Sequence, residues 1–555
     1  MQLSGDTPRE AESPVTEATI PEPHPSGWLR GAAIVGAMTV LSRVLGLARD
    51  IAMAKLFGLS PVMDAFTVAF RIPNLFRKLF GEGALATSFI PVFARELQHE
   101  DRRHAWRLAS AVLGCLALFL SALVLVGEIT LGLWAWCFAV SAETLILIEL
   151  TALMLPYLIL ICLASQVGAI LNSVGHFKWP ATVPVVLNFV WLLGVWLLTP
   201  WFSTAESQAC ALAGCILVSG VLQLLIQWPA LRSIGYRFET NWNLVRNPLR
   251  EIIASMLPVV LGLSITQLNT FSDSLIAWAF SQPTGQTTAV MPLPGSPQYP
   301  LQAGAVSALY YGERMYQFPL GVFGVALGTA IFPLLARHAA RGELDQLRKD
   351  LSLGLRLVIL IGVPASAALM WLAHPIARCL FERGEFGPAD TVRTAQIIAA
   401  YGCGVWAYCG LLILQRGCYA VGDRLTPLRI GMLVVGINLV LNLILIWFVA
   451  ERGLAFSTAF CAMLQIGILM WSTQRRIGRF EWKELASCLT RTLLATAIMS
   501  AVGMLLVSEC ARHPAWSGKL IGLIVPCLGA AVIYLGAAWM LKMDELWMIL
   551  RRREH

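Results

Sequence analysis

The sequence predicts an all-α polytopic membrane protein of fourteen transmembrane helices, on three observations. Residues AVILMFWYC make up 57% of the 555 and charged residues only 13%, whereas a soluble domain is about a quarter charged because its surface must face water. Apolar stretches long enough to cross a ~30 Å hydrocarbon core recur from Trp28 to the end of the chain. The Lys and Arg residues between these stretches alternate in density, as loops on the two sides of a membrane do. A large soluble enzyme, a disordered scaffold and a nucleic-acid binder are excluded. The net charge of +8 belongs to cytoplasmic loops beside anionic lipid, not to a DNA footprint.

Taken in order, residues 1–27 are Pro-rich and acidic with no apolar run, which predicts a disordered cytoplasmic tail. They lack the basic and apolar segments of a signal peptide. Spans are then expected at about 30–57, 62–98, 103–137, 143–172, 177–200, 207–229 and 249–281. The remainder fall at 303–338, 347–373, 388–421, 425–449, 453–474, 483–508 and 516–541. Basic residues gather in alternate loops, for example Arg95, Arg102, Arg103 and Arg107, then Arg232, Arg237, Arg246 and Arg250, then Arg475, Arg476, Arg479 and Lys483. The intervening loops hold only Arg378, Arg383, Arg393, Arg452, Arg512 and Lys519, and the long segment 282–304 holds none. Both termini are therefore expected on the cytoplasmic side. The 13 cysteines lie mostly in apolar runs without CxxC or Cys/His spacing, so they read as helix-packing residues.

Spans 3 to 6 are almost free of ionisable residues at their centres; spans 1, 2, 7 and 8 are not. Span 1 carries Arg43, Arg49 and Asp50. Span 2 carries Asp64, Arg71, Arg77, Lys78 and Glu82, with Pro73 able to break the helix between them. Span 7 carries Asp273, and span 8 carries Glu313 and Arg314 followed by Pro319. A charge at mid-bilayer costs at least ~2.5–3.5 kcal/mol on insertion scales, so such groups face a partner or a water-filled cavity. Arg49–Asp50 and Lys78–Glu82 can partly neutralise themselves, yet the cations outnumber the acids. That excess points to an anionic substrate, and the planar fork of arginine suits phosphate. HExxH, GxSxG and GxxxxGK[ST] motifs are all missing from the sequence, as is an acidic metal cluster. Transport without a catalytic residue, metal or prosthetic group is the expectation.

Ser42 to Asp50, SRVLGLARD, resembles the first-helix signature of the MurJ (MviN) lipid II flippase family. Asp64 to Ala94, DAFTVAFRIPNLFRKLFGEGALATSFIPVFA, resembles the family's second helix, and Tyr310 to Ala336, YYGERMYQFPLGVFGVALGTAIFPLLA, its eighth. LFERGEF (380–386) and CYAVGDRLTP (418–427) follow at the expected places. The resemblance implies a fold of the multidrug/oligosaccharidyl-lipid/polysaccharide exporter superfamily. An N-terminal lobe (28–229) and a C-terminal lobe (249–474), joined by a cytoplasmic linker (230–248), would enclose a central cavity. Two extra helices (483–541) would form a groove for a lipid tail, ahead of a cytoplasmic C-terminus (542–555). The implied function is flipping of lipid II, the undecaprenyl-diphosphate-linked peptidoglycan precursor, across the bacterial cytoplasmic membrane for cell-wall synthesis. Arg43, Arg49, Arg77, Lys78 and Arg314 are the implied substrate-binding residues, with Asp64 and Glu82 as functional acids. Lys78 stands where members often have a second arginine, and Gln317 where some have glutamate. Lipid II, membrane lipids and the cell-wall synthesis machinery are the implied partners.

Asp273 follows Gln267 and Asn269 in an otherwise apolar helix. A carboxylate among neutral oxygen donors can hold Na⁺ or accept H⁺, and the resemblance implies a sodium site at this position in some members. Gln415, Asn438 and Asn442 are the candidate further donors; pairing of Asp273 with Arg416 is the structural alternative. Two neighbouring functions stay open: a flippase for another lipid-linked oligosaccharide, and a cation-coupled antiporter, which would favour an acid-rich cavity. A membrane glycosyl transferase would need a catalytic carboxylate in a long outer loop, and 282–304 contains no Asp, Glu or His.

Overall fold

The computed structural model describes residues 25–81, 83–98, 102–138, 140–283, 298–512 and 518–551. The tail expected over 1–27 is already helical from Pro25. Residues 1–24, Glu82 and 284–297 lie outside the described residues.

Helix α1 (Pro25–Phe57) stops at Gly58, whose φ of 56° is left-handed and favours glycine. Ser60 then caps α2 (Pro61–Phe76): its Oγ accepts from the Met63 amide at 3.2 Å, and Pro61 occupies the first turn, where a missing N–H costs nothing. Pro73 removes one rung from α2, and a π-turn over Arg77–Gly81 follows before α3 (Ala84–Leu97). Next come α4 (Arg102–Cys137) and the pair α5 (Ala142–Met154) and α6 (Tyr157–Ser173), which meet at Pro156. The chain continues with α7 (Lys178–Leu197), α8 (Ala205–Ser233) and α9 (Arg246–Ala279).

Span 8 repeats the plan of span 2. Helix α10 (Ala305–Pro319) ends on a proline, a second π-turn covers Leu320–Gly324, and α11 (Val325–Ala340) completes the crossing. The remaining elements are α12 (Leu344–Trp371), α13 (Ala373–Leu380), α14 (Pro388–Gly402), α15 (Val405–Ala420), α16 (Leu425–Val449) and α17 (Glu451–Ile477). The last three are α18 (Trp482–Arg512), α19 (Ile521–Met540) and α20 (Asp544–Arg551). Among the described residues, 12 helical segments are long and apolar enough to cross a membrane. Neither α1 nor α2 with α3 is among them, so the expected count of fourteen is not established. Side chains such as Leu125, Trp196, Phe448 and Leu505 are exposed on these helices, an outer surface suited to lipid and unsuited to water.

One large core gathers residues from Met53 to Ile252 and a second gathers Leu335 to Leu485. Helices α18 and α19 pack on α12 through a smaller core that includes Leu360, Met499 and Tyr534. The first core reaches into the C-terminal half where α1 turns into α2. There Tyr311, Phe381 and Phe386, from the C-terminal half, join the first core and pack tilted or edge-on against one another with ring centroids 4.9–5.9 Å apart. The Glu385 amide donates to the Lys55 carbonyl at 3.0 Å. Three left-handed glycines line this seam. A Cβ on Gly58 would lie 2.6 Å from the Glu385 carbonyl, one on Gly304 would lie 2.7 Å from Leu59, and one on Gly384 would strike the Lys55 carbonyl. Backbone thus meets backbone across the two halves on what we call the closed face, opposite the basic loops.

Candidate substrate-binding site

Helix α1 presents Arg49 and Asp50 between the two cores. The Arg49 guanidinium bonds Asp50 Oδ1 through Nε at 3.1 Å and Nη2 at 2.7 Å, and Asn188 Oδ1 on α7 through Nη1 at 3.0 Å. It also lies over the Trp191 ring, 4.5 Å from the centroid. Asn188 is itself held, donating to the Ser42 carbonyl at 3.0 Å. Each contact desolvates the guanidinium and supplies a partner in return, the condition for burying a charge.

From the other half, α10 brings Tyr310 and Arg314, one turn apart. Tyr310 donates its hydroxyl to Asp50 Oδ1 at 2.9 Å and accepts from both Arg49 Nη2 and Arg314 Nη2 at 3.1 Å. Arg314 Nε stands 3.4 Å from Asp50 Oδ2, and its guanidinium covers the Tyr310 ring at 4.7 Å. The network continues outward. Arg314 donates to Gln317 Oε1 at 3.3 Å, Gln317 donates to Glu313 Oε1 at 2.7 Å, and Glu313 Oε2 pairs with Arg71 at 2.8 Å. Arg71 reaches the Thr270 carbonyl of α9 at 2.8 Å.

The other expected cations take different positions. Arg43 is exposed on α1 with its guanidinium against Gly321 in the second π-turn; a Cβ there would come within 2.5 Å of Nη1, so glycine makes the room. Arg77 and Lys78 open the first π-turn, Arg77 half-buried and Lys78 exposed. Asp64 is brought to a helix terminus instead of to the arginine pair. Helix α10 begins at Gly304, which has no side chain to cap it, and Asp64 supplies the cap from α2. Its Oδ2 accepts from the Gly304 amide at 2.8 Å; its Oδ1 accepts from the Ser307 amide at 2.7 Å and the Ser307 hydroxyl at 2.6 Å. The other expected acid, Glu82, lies outside the described residues.

Asp273 forms a separate cluster. Asn442 Nδ2 donates to its Oδ1 at 2.6 Å and the Thr458 hydroxyl to its Oδ2 at 3.3 Å. Asn438 Oδ1 accepts from Asn442 at 3.1 Å, and Ser457 bonds both asparagines. The alternative pairing with Arg416 does not form: that guanidinium covers the Phe332 ring at 5.4 Å. Asn438 and Asn442 stand where sequence reasoning put donors, whereas Gln415 is absent from the bonds made to Asp273. Thr458 and Ser457 were missed, as were Tyr310, Asn188, Trp191 and Gly321 at the arginine site. Asn188, a lone amide in an apolar helix, was the one signal that sequence reading could have used.

Two packed helical halves with a buried arginine cluster between them, roofed by a glycine seam, define a polytopic membrane protein of the two-lobed transporter type. A family model described as lipid II flippase MurJ matches residues 53–525. A probable lipid II flippase MurJ of Vibrio cholerae is 31% identical over 92% of this chain and 96% of its own. The lipid II flippase MurJ of Burkholderia cenocepacia is 30% identical over 92% and 97%. The chain belongs to the lipid II flippase MurJ family. Among solved structures, a lipid II flippase MurJ in an inward closed conformation matches with a TM-score of 0.73 at 22% identity, covering 92% of this chain and 99% of that one. An inward-facing multidrug resistance MATE family transporter of the MOP superfamily matches at 0.62 and 15% identity, over 80% and 98%. Both support the fold.

Proposed function

We propose that this chain moves lipid II across the bacterial cytoplasmic membrane by alternating access, with the basic face and both termini in the cytoplasm. The observation that carries the reading is the convergence of Arg49 and Arg314, one from each half, on the same two acceptors. Guanidinium groups so arranged present planar donors to the two phosphates of a diphosphate, while Arg43, Arg77 and Lys78 extend the field towards the basic face. The two large cores act as lobes. The isoprenoid tail stays in lipid along α18 and α19, which are the last two of fourteen spans. Rocking of one lobe against the other breaks the glycine seam and delivers the head group to the far side, where the cell-wall synthesis machinery would meet it. The substrate must bind the two states unequally, since equal affinity shifts nothing.

The Asp273 cluster supports coupling to a monovalent cation. Its donor types, one carboxylate with the oxygens of Asn438, Asn442, Ser457 and Thr458, are hard oxygen ligands suited to Na⁺. One carboxylate balances one positive charge, which Na⁺ or H⁺ supplies equally. As the cluster stands, Asn442 turns its Nδ2 to Asp273, so a bound cation requires that amide to rotate and present oxygen. The decisive test is complementation of a strain depleted of its lipid II flippase, with lipid II accessibility measured on each leaflet. Restored growth with lipid II appearing outside is expected; full expression without either result would sink the reading.

A further inference from the structure

The hydroxyl of Tyr310 has no spare bonding capacity. It gives its single proton to Asp50 and accepts one N–H from each of Arg49 and Arg314, which fills the donor and both lone pairs of a phenol. Asp50 is engaged on both oxygens, Oδ1 by Arg49 at 2.7 Å and Oδ2 by Arg314 at 3.4 Å. The tie between α1 and α10 therefore consists of two guanidinium groups gathered on two acceptor residues, Arg49 by hydrogen bonds to both and Arg314 by a hydrogen bond to the phenol and an ion pair to the carboxylate. Those acceptors are one carboxylate and one neutral phenol, a weaker set than the several anionic oxygens of a diphosphate. A diphosphate entering from the basic face would also repel Asp50, which carries charge of its own sign.

Position along the helices makes this tie consequential. Tyr310 lies one turn beyond Ser307, whose amide and hydroxyl are held by Asp64. Its ring is T-shaped against Tyr311, which belongs to the aromatic plug of the seam. Loss of the Tyr310–Asp50 tie would free the segment of α10 that forms the closed face.

Resting on the lipid II reading above, we propose that Tyr310 is a positioning residue whose hydroxyl, together with Asp50, stands in for phosphate oxygens in the empty carrier and yields both arginines to the diphosphate, so that substrate binding releases the α1–α10 seam.

The test uses the full-length protein in nanodiscs, with lipid II as the probe and two readouts: lipid II affinity, and hydrogen exchange at the amides of Gly304, Ser307 and Glu385. In the wild type, lipid II should speed exchange at those amides. Tyr310→Phe keeps the ring beneath Arg314 and removes only the hydroxyl. It should show fast exchange without lipid II and bind lipid II about threefold tighter or more, because a larger fraction of the empty carrier is binding-competent. A role in packing alone would not tighten binding. Wild-type exchange and affinity in Tyr310→Phe would overturn the proposal, and so would weaker binding, which would make Tyr310 a support for the arginines. If Tyr310→Phe does not fold, Asp50→Asn reads the same tie, with the same outcomes expected. If the wild type does not bind lipid II at all, the substrate reading fails. A fast seam in Tyr310→Phe would then still show the tie, and an unchanged seam would remove both.

Discussion

Two buried carboxylates, Asp64 and Asp273, are alike in sequence and different in how they are held. Each is a lone acid in an apolar stretch and each is almost inaccessible, at 2% and 6% exposure. Asp64 receives two backbone amides at the start of a helix in the opposite half. Among the described residues, Asp273 receives side-chain donors, an asparagine amide and a threonine hydroxyl. Backbone donors at a helix terminus cannot turn round, so they fix an anion and the helix together. Side-chain amides and hydroxyls can reverse from donor to acceptor by rotation. The first acid therefore ties two halves together, whereas the second is held by donors that are free to turn.

The largest effects should come from breaking the Asp64 tie. Asp64→Ala leaves the Gly304 and Ser307 amides without their acceptor, and we expect a loss of about 3 kcal/mol in stability, from charge-assisted bonds of ~1.5–3 kcal/mol each, with flipping abolished. Thermal unfolding in detergent checks the first and a leaflet-accessibility assay the second. Asp64→Asn keeps one acceptor and should lose about 1 kcal/mol; wild-type stability in Asp64→Ala would make the cap irrelevant.

Next in size come the effects at the arginine pair. Arg49→Ala and Arg314→Ala should each reduce flipping by roughly 100-fold or more, the scale of one lost charge-assisted contact. The lysine variants should recover only part of it, since the fork is gone. Full activity in the lysine variants would reduce the pair to a diffuse positive field.

Asp273→Asn should fold, at a cost of about 1 kcal/mol, and should lose the dependence of flipping on Na⁺ or pH in proteoliposomes. A wild type indifferent to both ions ends the coupling idea. A variant that fails to accumulate would make Asp273 a second structural tie and erase the contrast with Asp64. The smallest effect is expected from deleting residues 1–24: complementation and insertion should be unchanged, as a growth assay would show.

The class of fold was legible because apolar length and loop charge are properties of contiguous residues. Arg43, Arg49 and Arg314 stood out for the same reason, as charges where the bilayer makes them costly. Their partners did not. Asn188 lies 139 positions from Arg49, Tyr310 lies 261 away, and Thr458 is 185 from Asp273. These are neutral residues, common in helices, and only the fold brings them to a charge. Asp64 shows the limit most clearly: its acidity was visible, but that it caps a helix starting 240 positions later depends on how the halves dock. The π-turns were equally hidden, although Pro73 and Pro319 marked where the helices would give way.

On the alternating-access reading the glycine seam would also carry an electrical duty. A substrate path lined with arginines would conduct anions if its far end leaked, and a cell that stores energy as a membrane potential cannot tolerate that. Gly58, Gly304 and Gly384 let main chain press on main chain, and Tyr311, Phe381 and Phe386 pack against one another in the core beside them, a closure that ions would have to part in order to cross. A carrier with Gly384→Ala should therefore reveal itself first as a chloride leak across liposomes, before it is noticed as a slow flippase.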